Sequence, residues 1–484
     1  MAARLLPMAE NRIRYADSFE FIGWYAAEIV RTVSGWFRES GIEVPISANS
    51  WSPLYADFAK LCEKADIAGM DIYPSVYYEG RKPVKDNWLY NVDILKMAEA
   101  NVTHGNVWCG EFQCGIYPLR DTGYIPPDHF RFVALSLMAR GLKVWNWYLL
   151  VVQYNWPHSP INEWGWPNEY FPIHKETLAL TQRIEPWNLT PLHDLGLIVY
   201  KPHRVIDPGN FEAVFHALES ADLSYAYVDP QMTAPILHPV LLYCGSDWLD
   251  ASALARIESY VENGGILITF SQAPFRDEFG QPSRLPFIAP EGARPVNLPV
   301  TVSYKDGAVI LCHGGHLGCK VNFCYFSKVA GDPIRVTLST RARETLVDVG
   351  AAAAASFAIG YVRPFGKGKI VYLGSNPSAE TLEMVLTAEG YRPYVSANEA
   401  LVTTSLFRHA DGSLRLFVVN QNPHRCAASV TFHAARLAIA ANARLSLAPI
   451  SGAAGSPIEF DSNAGVRVEV AGHDVEVFRV AINQ

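Results

Sequence analysis

The sequence predicts a mixed α/β fold that ends in a small all-β domain, and three observations carry that expectation. Short apolar strand candidates alternate with amphipathic helices up to about residue 190, the mark of βα units on a parallel sheet. The same alternation resumes over about 191–395, as in a doubly wound sheet. From about 396 to 484 the pattern changes to short alternating strands with turn signals such as "HADGS", which suits an antiparallel β-sandwich. A chain of 484 residues is too long for one ordinary core, so several domains are expected.

In the first zone (1–190), Asp17 and Glu20 have capping-box spacing and start a helix. Phe21, Trp24, Tyr25, Glu28, Ile29 and Val33 follow at mostly apolar helical spacing up to Gly41. Strand candidates come at "VPISAN" (44–49), "DIAGMDIYP" (66–74), "NVWCGEFQCG" (106–115) and "GLKVWNWYLL" (141–150). Helices are expected around 52–64, 89–101 and 127–140, between the strands. In the second zone (191–395), "LGLIVY", "PVLLYCG" and "ILITF" are strands, with helices at "NFEAVFHALESA" and "DASALARIESYVENGG". A β-rich insertion occupies about 280–355, then a hairpin turns at "GKGK" and a helix follows from Ser378. "LRLFVVNQN", "ASVTFHA" and "GVRVEVAGHDVEVFRVAI" supply the strands of the last zone (396–484).

Composition narrows the function classes. A formal net charge of −8 argues against nucleic-acid or anionic-membrane partners. No apolar run is as long as a membrane span, and the first residues lack a signal-peptide pattern, so a cytoplasmic protein is expected. Eight dispersed cysteines do not resemble a disulfide framework. No cofactor motif stands out; "GKGK" precedes a strand, not a helix, and so is no phosphate loop.

Polar residues cluster where the first-zone strands end: Asn49, then Asp71 and Tyr73, then Glu111 and Gln113, then Asn146 and Tyr148. A barrel of βα units gathers its active site at those ends. Any one of these residues could be a structural rim group, whereas four strands ending alike suggest one site. Eleven of the 12 tryptophans lie in this zone, and Trp145, Trp147, Trp156, Trp164 and Trp166 crowd together after the fourth strand begins. Flat aromatic faces beside amides and carboxylates suit sugar rings, and plain packing is the alternative. A carbohydrate is therefore the expected partner.

"DIYP", "WCGEFQCG" and "GLKVWNWY", in that order on successive strands, resemble the second half of the catalytic (β/α) barrel of β-galactosidases in glycoside hydrolase families 42 and 35. "GIEVPISANS" matches the preceding strand. The resemblance implies a partial (β/α) barrel, a glutamine-amidotransferase-like middle domain, a small β domain and a homo-oligomer, commonly a trimer. It makes Glu111 the nucleophile of a retaining mechanism, with Asn49, Asp71, Tyr73, Gln113, Trp145, Asn146, Trp147 and Tyr148 around the substrate. The family's acid/base is a Glu directly after an Asn; here Glu10 precedes Asn11, and Arg12 follows it. Glu10 is the candidate within the chain. The expectation is of a chain lacking the first half of the barrel, with a non-catalytic carbohydrate-binding relative as the rival.

Two further signals stand outside that site. Cys312, His313, His316 and Cys319 could furnish zinc ligands, though their spacing fits no standard finger and small apolar strand residues are the alternative. Cys244 ends a strand where an amidotransferase-like fold would hold a nucleophile, but no His–Glu pattern follows, so a buried structural thiol is expected.

Overall fold

The computed structural model describes residues 9–50, 57–73, 84–101, 107–115, 125–152, 156–193, 195–206, 208–232, 234–296, 300–311, 321–326, 329, 331–338, 356–440, 443–451, 456–462 and 464–483. The chain forms two compact units, one of Glu20–Leu192 with Pro393–Gln484 and the other of Met1–Phe19 with His193–Arg392.

In the first unit, β1 (Ser47–Ser50), β2 (Ile67–Ile72), β3 (Trp108–Gln113) and β4 (Val144–Tyr148) form a four-stranded sheet in sequence order, every pair parallel. Parallel neighbours need crossover connections, which here run through α2 (Phe58–Cys62), α3 (Val84–Asn101) and α4 (Pro127–Met138). Asp57 caps α2 by accepting from the Lys60 amide at 3.2 Å, and Pro127 opens α4 where a missing N–H costs nothing. The central strands carry the buried side chains Met70, Ile72, Cys109 and Phe112, and α5 (Phe171–Ile184) follows β4. Among the described residues β1 and β4 each pair on one side only.

The first helix departs from expectation. α1 runs Ala9–Glu39, so Asp17 and Glu20 lie inside it and do not cap it. The preceding Ala, Glu and Arg residues are good helix formers and carry the helix back past Asp17. Glu20 instead pairs with Lys60. The helix stops at Gly41 (φ +81°), where the Ile42 amide reaches back to the Phe37 carbonyl at 3.0 Å. Arg38 then holds the Ile42 and Val44 carbonyls, each at 2.8 Å, and pairs with Asp66 at 2.6 Å, which sets the entry into β1. The buried side of α1 is its small residues, Gly23 and Ala27. Its aromatic side (Phe21, Trp24, Tyr25, Trp36) is exposed.

The last zone packs in this same unit. A six-stranded antiparallel sheet is ordered Ile458–Asp461, Arg444–Pro449, Asp474–Asn483, Leu414–Asn420, Val402–His409, Leu189–Pro191. It shares a core with a three-stranded sheet of Val395–Ala397, Cys426–Phe432 and Val466–Val470, filled by Leu416, Val418, Ala428, Val430 and Leu445. The short strand Leu189–Pro191 belongs to the run that leads out of α5, and Arg131 of α4 pairs with Asp474.

The second unit is built on a nine-stranded sheet. Five neighbouring strands are parallel, in the order Gly368–Leu373, Ile266–Phe270, Val240–Tyr243, Leu195–Ile198, Tyr225–Val228. The β-rich insertion does not stand apart. Its strands Asp332–Leu338, Val300–Tyr304 and Gly307–Leu311 extend the same sheet antiparallel through Ser356–Phe365. Asp250 and Ser378 cap the helices Ala251–Glu262 and Ala379–Ala388. Cys244 is buried, its Sγ 3.9 Å from the Ile198 carbonyl. Cys312, His313, His316 and Cys319 lie outside the described residues. No helix among the described residues is long and apolar enough to cross a membrane.

Candidate active site

Four parallel strands point their C-terminal ends the same way, and the polar residues singled out in the sequence meet there. Asp71 and Glu111 are direct partners across β2 and β3. The register shifts between Met70 and Asp71, and again between Cys109 and Phe112 against β4. Such irregularities re-aim side chains beside active sites, and here they fall on the two carboxylates.

Asn49 ties three strands together. Its amide donates to the Asp71 carboxylate at 2.5 Å. Its side chain lies over Gly69 and Gly110, where an added Cβ would stand 3.2 Å and 2.8 Å from Asn49 Oδ1. From the other flank, Asn146 donates to the Gly110 carbonyl at 3.2 Å. Tyr73 donates its hydroxyl to Glu111 Oε2. Tyr148 meets Tyr73 edge to face, with ring centroids 6.2 Å apart, and Trp156 meets Tyr148 at the same separation.

The electrostatics follow from this crowding. Burial pushes the Asp71 carboxyl up to about 6; the Asn49 hydrogen bond opposes the shift and the Glu111 charge adds to it. Burial, then the hydrogen bond to Glu111, drives the Tyr73 hydroxyl far above its ordinary range, so it stays a donor. Tyr148 is raised by burial and by the charges of Glu111 and Asp71. The arrangement offers one carboxylate as an acceptor or nucleophile, and a neighbouring carboxyl that takes a proton near neutrality.

Not every residue expected around a substrate stands here. Trp145 and Trp147 take the opposite face of β4 from Asn146 and Tyr148. They pack on buried Phe112 at 5.8 and 4.9 Å, and Trp147 meets His174 of α5 at 4.5 Å. Alternation along β4 makes them half-buried packing residues on that face, Trp147 against α5. Gln113 is buried at the end of β3. Glu10 falls in the first turn of α1 and not at a strand end. Trp156, one of the five clustered tryptophans, does stand beside Tyr148, whereas Gly69 and Gly110 were missed, although glycines inside strands signal close approach of another group. Buried His174 was missed as well. It sits 3.4 Å from Cys114 Sγ, and burial lowers it to about 4.

The fold is shared with solved β-galactosidases. The structure of one from the haloarchaeon Halorubrum lacusprofundi is similar, with a TM-score of 0.67 at 14% identity over 98% of this chain and 69% of that one. A GH42 β-galactosidase from G. stearothermophilus gives 0.68 at 11% identity, covering 96% of this chain and 67% of its own. The β-galactosidase of Bacillus circulans sp. alkalophilus gives 0.63 at 13%, covering 91% and 64%. This chain thus spans about two thirds of the length of the structures it resembles. No family model and no curated protein sequence matches it.

Proposed function

We propose that this protein is a glycoside hydrolase acting on β-galactosides or related β-glycosides by a retaining double displacement, with Glu111 as the nucleophile. One observation carries the reading: Glu111 ends a parallel strand and accepts the Tyr73 hydroxyl, amid Asn49, Asp71, Asn146 and Tyr148 from the other strands. In this mechanism the Glu111 carboxylate attacks the anomeric carbon as the bond to the leaving oxygen breaks. The leaving oxygen takes a proton from a general acid, and a glycosyl ester remains on Glu111. Water then gives its proton back to that acid's conjugate base, attacks the anomeric carbon and releases Glu111. Tyr73 orients the carboxylate by its hydrogen bond, and Asn49, Asp71, Asn146 and Tyr148 bind sugar hydroxyls.

The shared fold with β-galactosidases supports the substrate class. A catalytic barrel has eight strands, and the four parallel strands, the outer two paired on one side only among the described residues, are half of one in this reading. The exposed aromatic side of α1 beside β1 fits a missing neighbour. The nine-stranded sheet corresponds to an amidotransferase-like domain, through which such enzymes form trimers. Glu10 is the acid/base candidate within the chain.

Glu111→Gln keeps the shape of the side chain and removes the nucleophile. Turnover of nitrophenyl β-galactoside should fall by about 10³-fold or more with the melting temperature unchanged. Near-wild-type turnover by the variant would overturn the assignment. The second reading, a carbohydrate-binding relative without hydrolytic activity, is favoured by Arg12, which stands after Asn11 where a Glu would serve as acid.

A further inference from the structure

The tryptophans after β4 divide into two sets. Trp145 and Trp147 are packing residues, whereas Trp164 and Trp166 are 74% and 69% exposed. Both lie in the connection between β4 and α5, outside any helix or named strand. They flank Gly165 (φ +82°) in a tight turn closed by Asn162. Asn162 Oδ1 accepts from the Trp164 and Trp166 amides at 3.1 and 2.8 Å, and the Asn162 amide donates to the Trp166 carbonyl at 2.9 Å. Such a turn displays two flat rings at little cost in conformational freedom.

The turn is anchored at the rim of the candidate site. Val151 bridges to Ile161, and Ile161 to Pro167, so the turn is pinned three residues past the end of β4. The Ile161 amide donates to the Leu150 carbonyl at 3.2 Å, and Val152 donates to Ile161 at 2.7 Å. The same connection carries Trp156, which meets Tyr148 edge on, as Tyr148 meets Tyr73 beside Glu111. Exposed Glu163 and Glu169 offer acceptors in the same stretch, whereas the Asn168 side chain is committed to the Ser159 carbonyl and the Tyr170 amide. Sugar hydroxyls donate to such carboxylates while the C–H faces of the rings stack on flat aromatic side chains.

We propose that Trp164 and Trp166 form a platform for sugar units beyond the one held at Glu111, so that the preferred ligand is a β-linked neutral oligosaccharide longer than a disaccharide. The proposal rests on the glycosidase reading of Glu111, but its test is a binding test. The full chain is titrated with β-1,4-galactotetraose and with galactose by calorimetry. Wild type should bind the tetraose at least about tenfold more tightly than galactose, and Trp164→Ala/Trp166→Ala should lose that advantage. Trp164→Phe/Trp166→Phe, which keeps flat rings, should retain most of it and shows that the turn still folds.

Equal tetraose affinity in wild type and the alanine variant overturns the platform, as does a wild type that binds tetraose no better than galactose. A change of oligomeric state in the alanine variant on size exclusion also overturns it, because the rings would then serve a subunit contact. Loss of the tetraose advantage in a chain that hydrolyses no glycoside leaves the platform standing and removes only the enzymatic reading.

Discussion

At the scale of single residues, Asp71 distinguishes this site from a lone carboxylate on a strand. Its folded-state carboxyl is raised from the ordinary 3.8 to about 6, chiefly by burial. A raised acid binds its proton more tightly in the folded protein, so its contribution to stability is full below the ordinary range and is lost as pH rises through about 6. Asp71→Asn keeps an acceptor for the Asn49 amide and removes the titration. The variant should therefore gain stability relative to wild type as pH climbs from about 4 to 6, and hold that gain above it. Urea melts of both proteins across that range measure the difference. A difference that does not change with pH would show that Asp71 is solvated in the native state. The groups that face it and share its field are Glu111, Tyr73, Tyr148 and Cys109.

At the scale of elements, the four strands work as a frame because their glycines leave room for Asn49. A Cβ on Gly110 would stand 2.8 Å from Asn49 Oδ1 and 3.0 Å from Cγ. Gly110→Ala should therefore push Asn49 off Asp71 and destabilise the protein by about 1–3 kcal/mol, with a larger loss of any glycosidase activity. Thermal melts and assays together check this; unchanged values would mean that Asn49 moves freely. The strands themselves were legible, since β-branched and aromatic runs with polar C-terminal ends fall where β1–β4 lie. The faces of β4 were less so. Two tryptophans at alternate positions look the same whether they line a cleft or pack on a neighbour, and only their contacts with Phe112, and that of Trp147 with His174 of α5, assign them to packing. The start of α1 was misread because a capping-box pattern at Asp17 occurs inside a longer helix-forming run. The aromatic stripe on that helix has the spacing of a core face, but Gly23 and Ala27 make the buried side, with Gly23 against Asp57 at the start of α2. The antiparallel extension of the nine-stranded sheet was hidden because pairing partners are far apart in sequence.

At the scale of the molecule, the exposed side of α1 and the edges of β1 and β4, each paired on one side only among the described residues, predict association. Unpaired parallel edges are templates for pairing, and exposed aromatic stripes seek cover. The 484-residue chain expressed alone should elute as more than a monomer on size exclusion. Any activity it has should favour nitrophenyl glycosides over lactose, because an activated leaving group needs less proton donation. A compact monomer that turns over both substrates alike would mean that the sheet is closed and its acid is present, with Glu10 the first residue to mutate. The central claim is that Glu111 forms a covalent bond to the sugar, and trapping tests it most directly. The chain is incubated with dinitrophenyl 2-deoxy-2-fluoro-β-galactoside, whose leaving group departs without an acid, and its peptides are weighed by mass spectrometry. The account predicts one fluorogalactosyl adduct on the peptide carrying Glu111, absent from Glu111→Gln. An adduct on another carboxylate such as Asp71, or none at all, would contradict it.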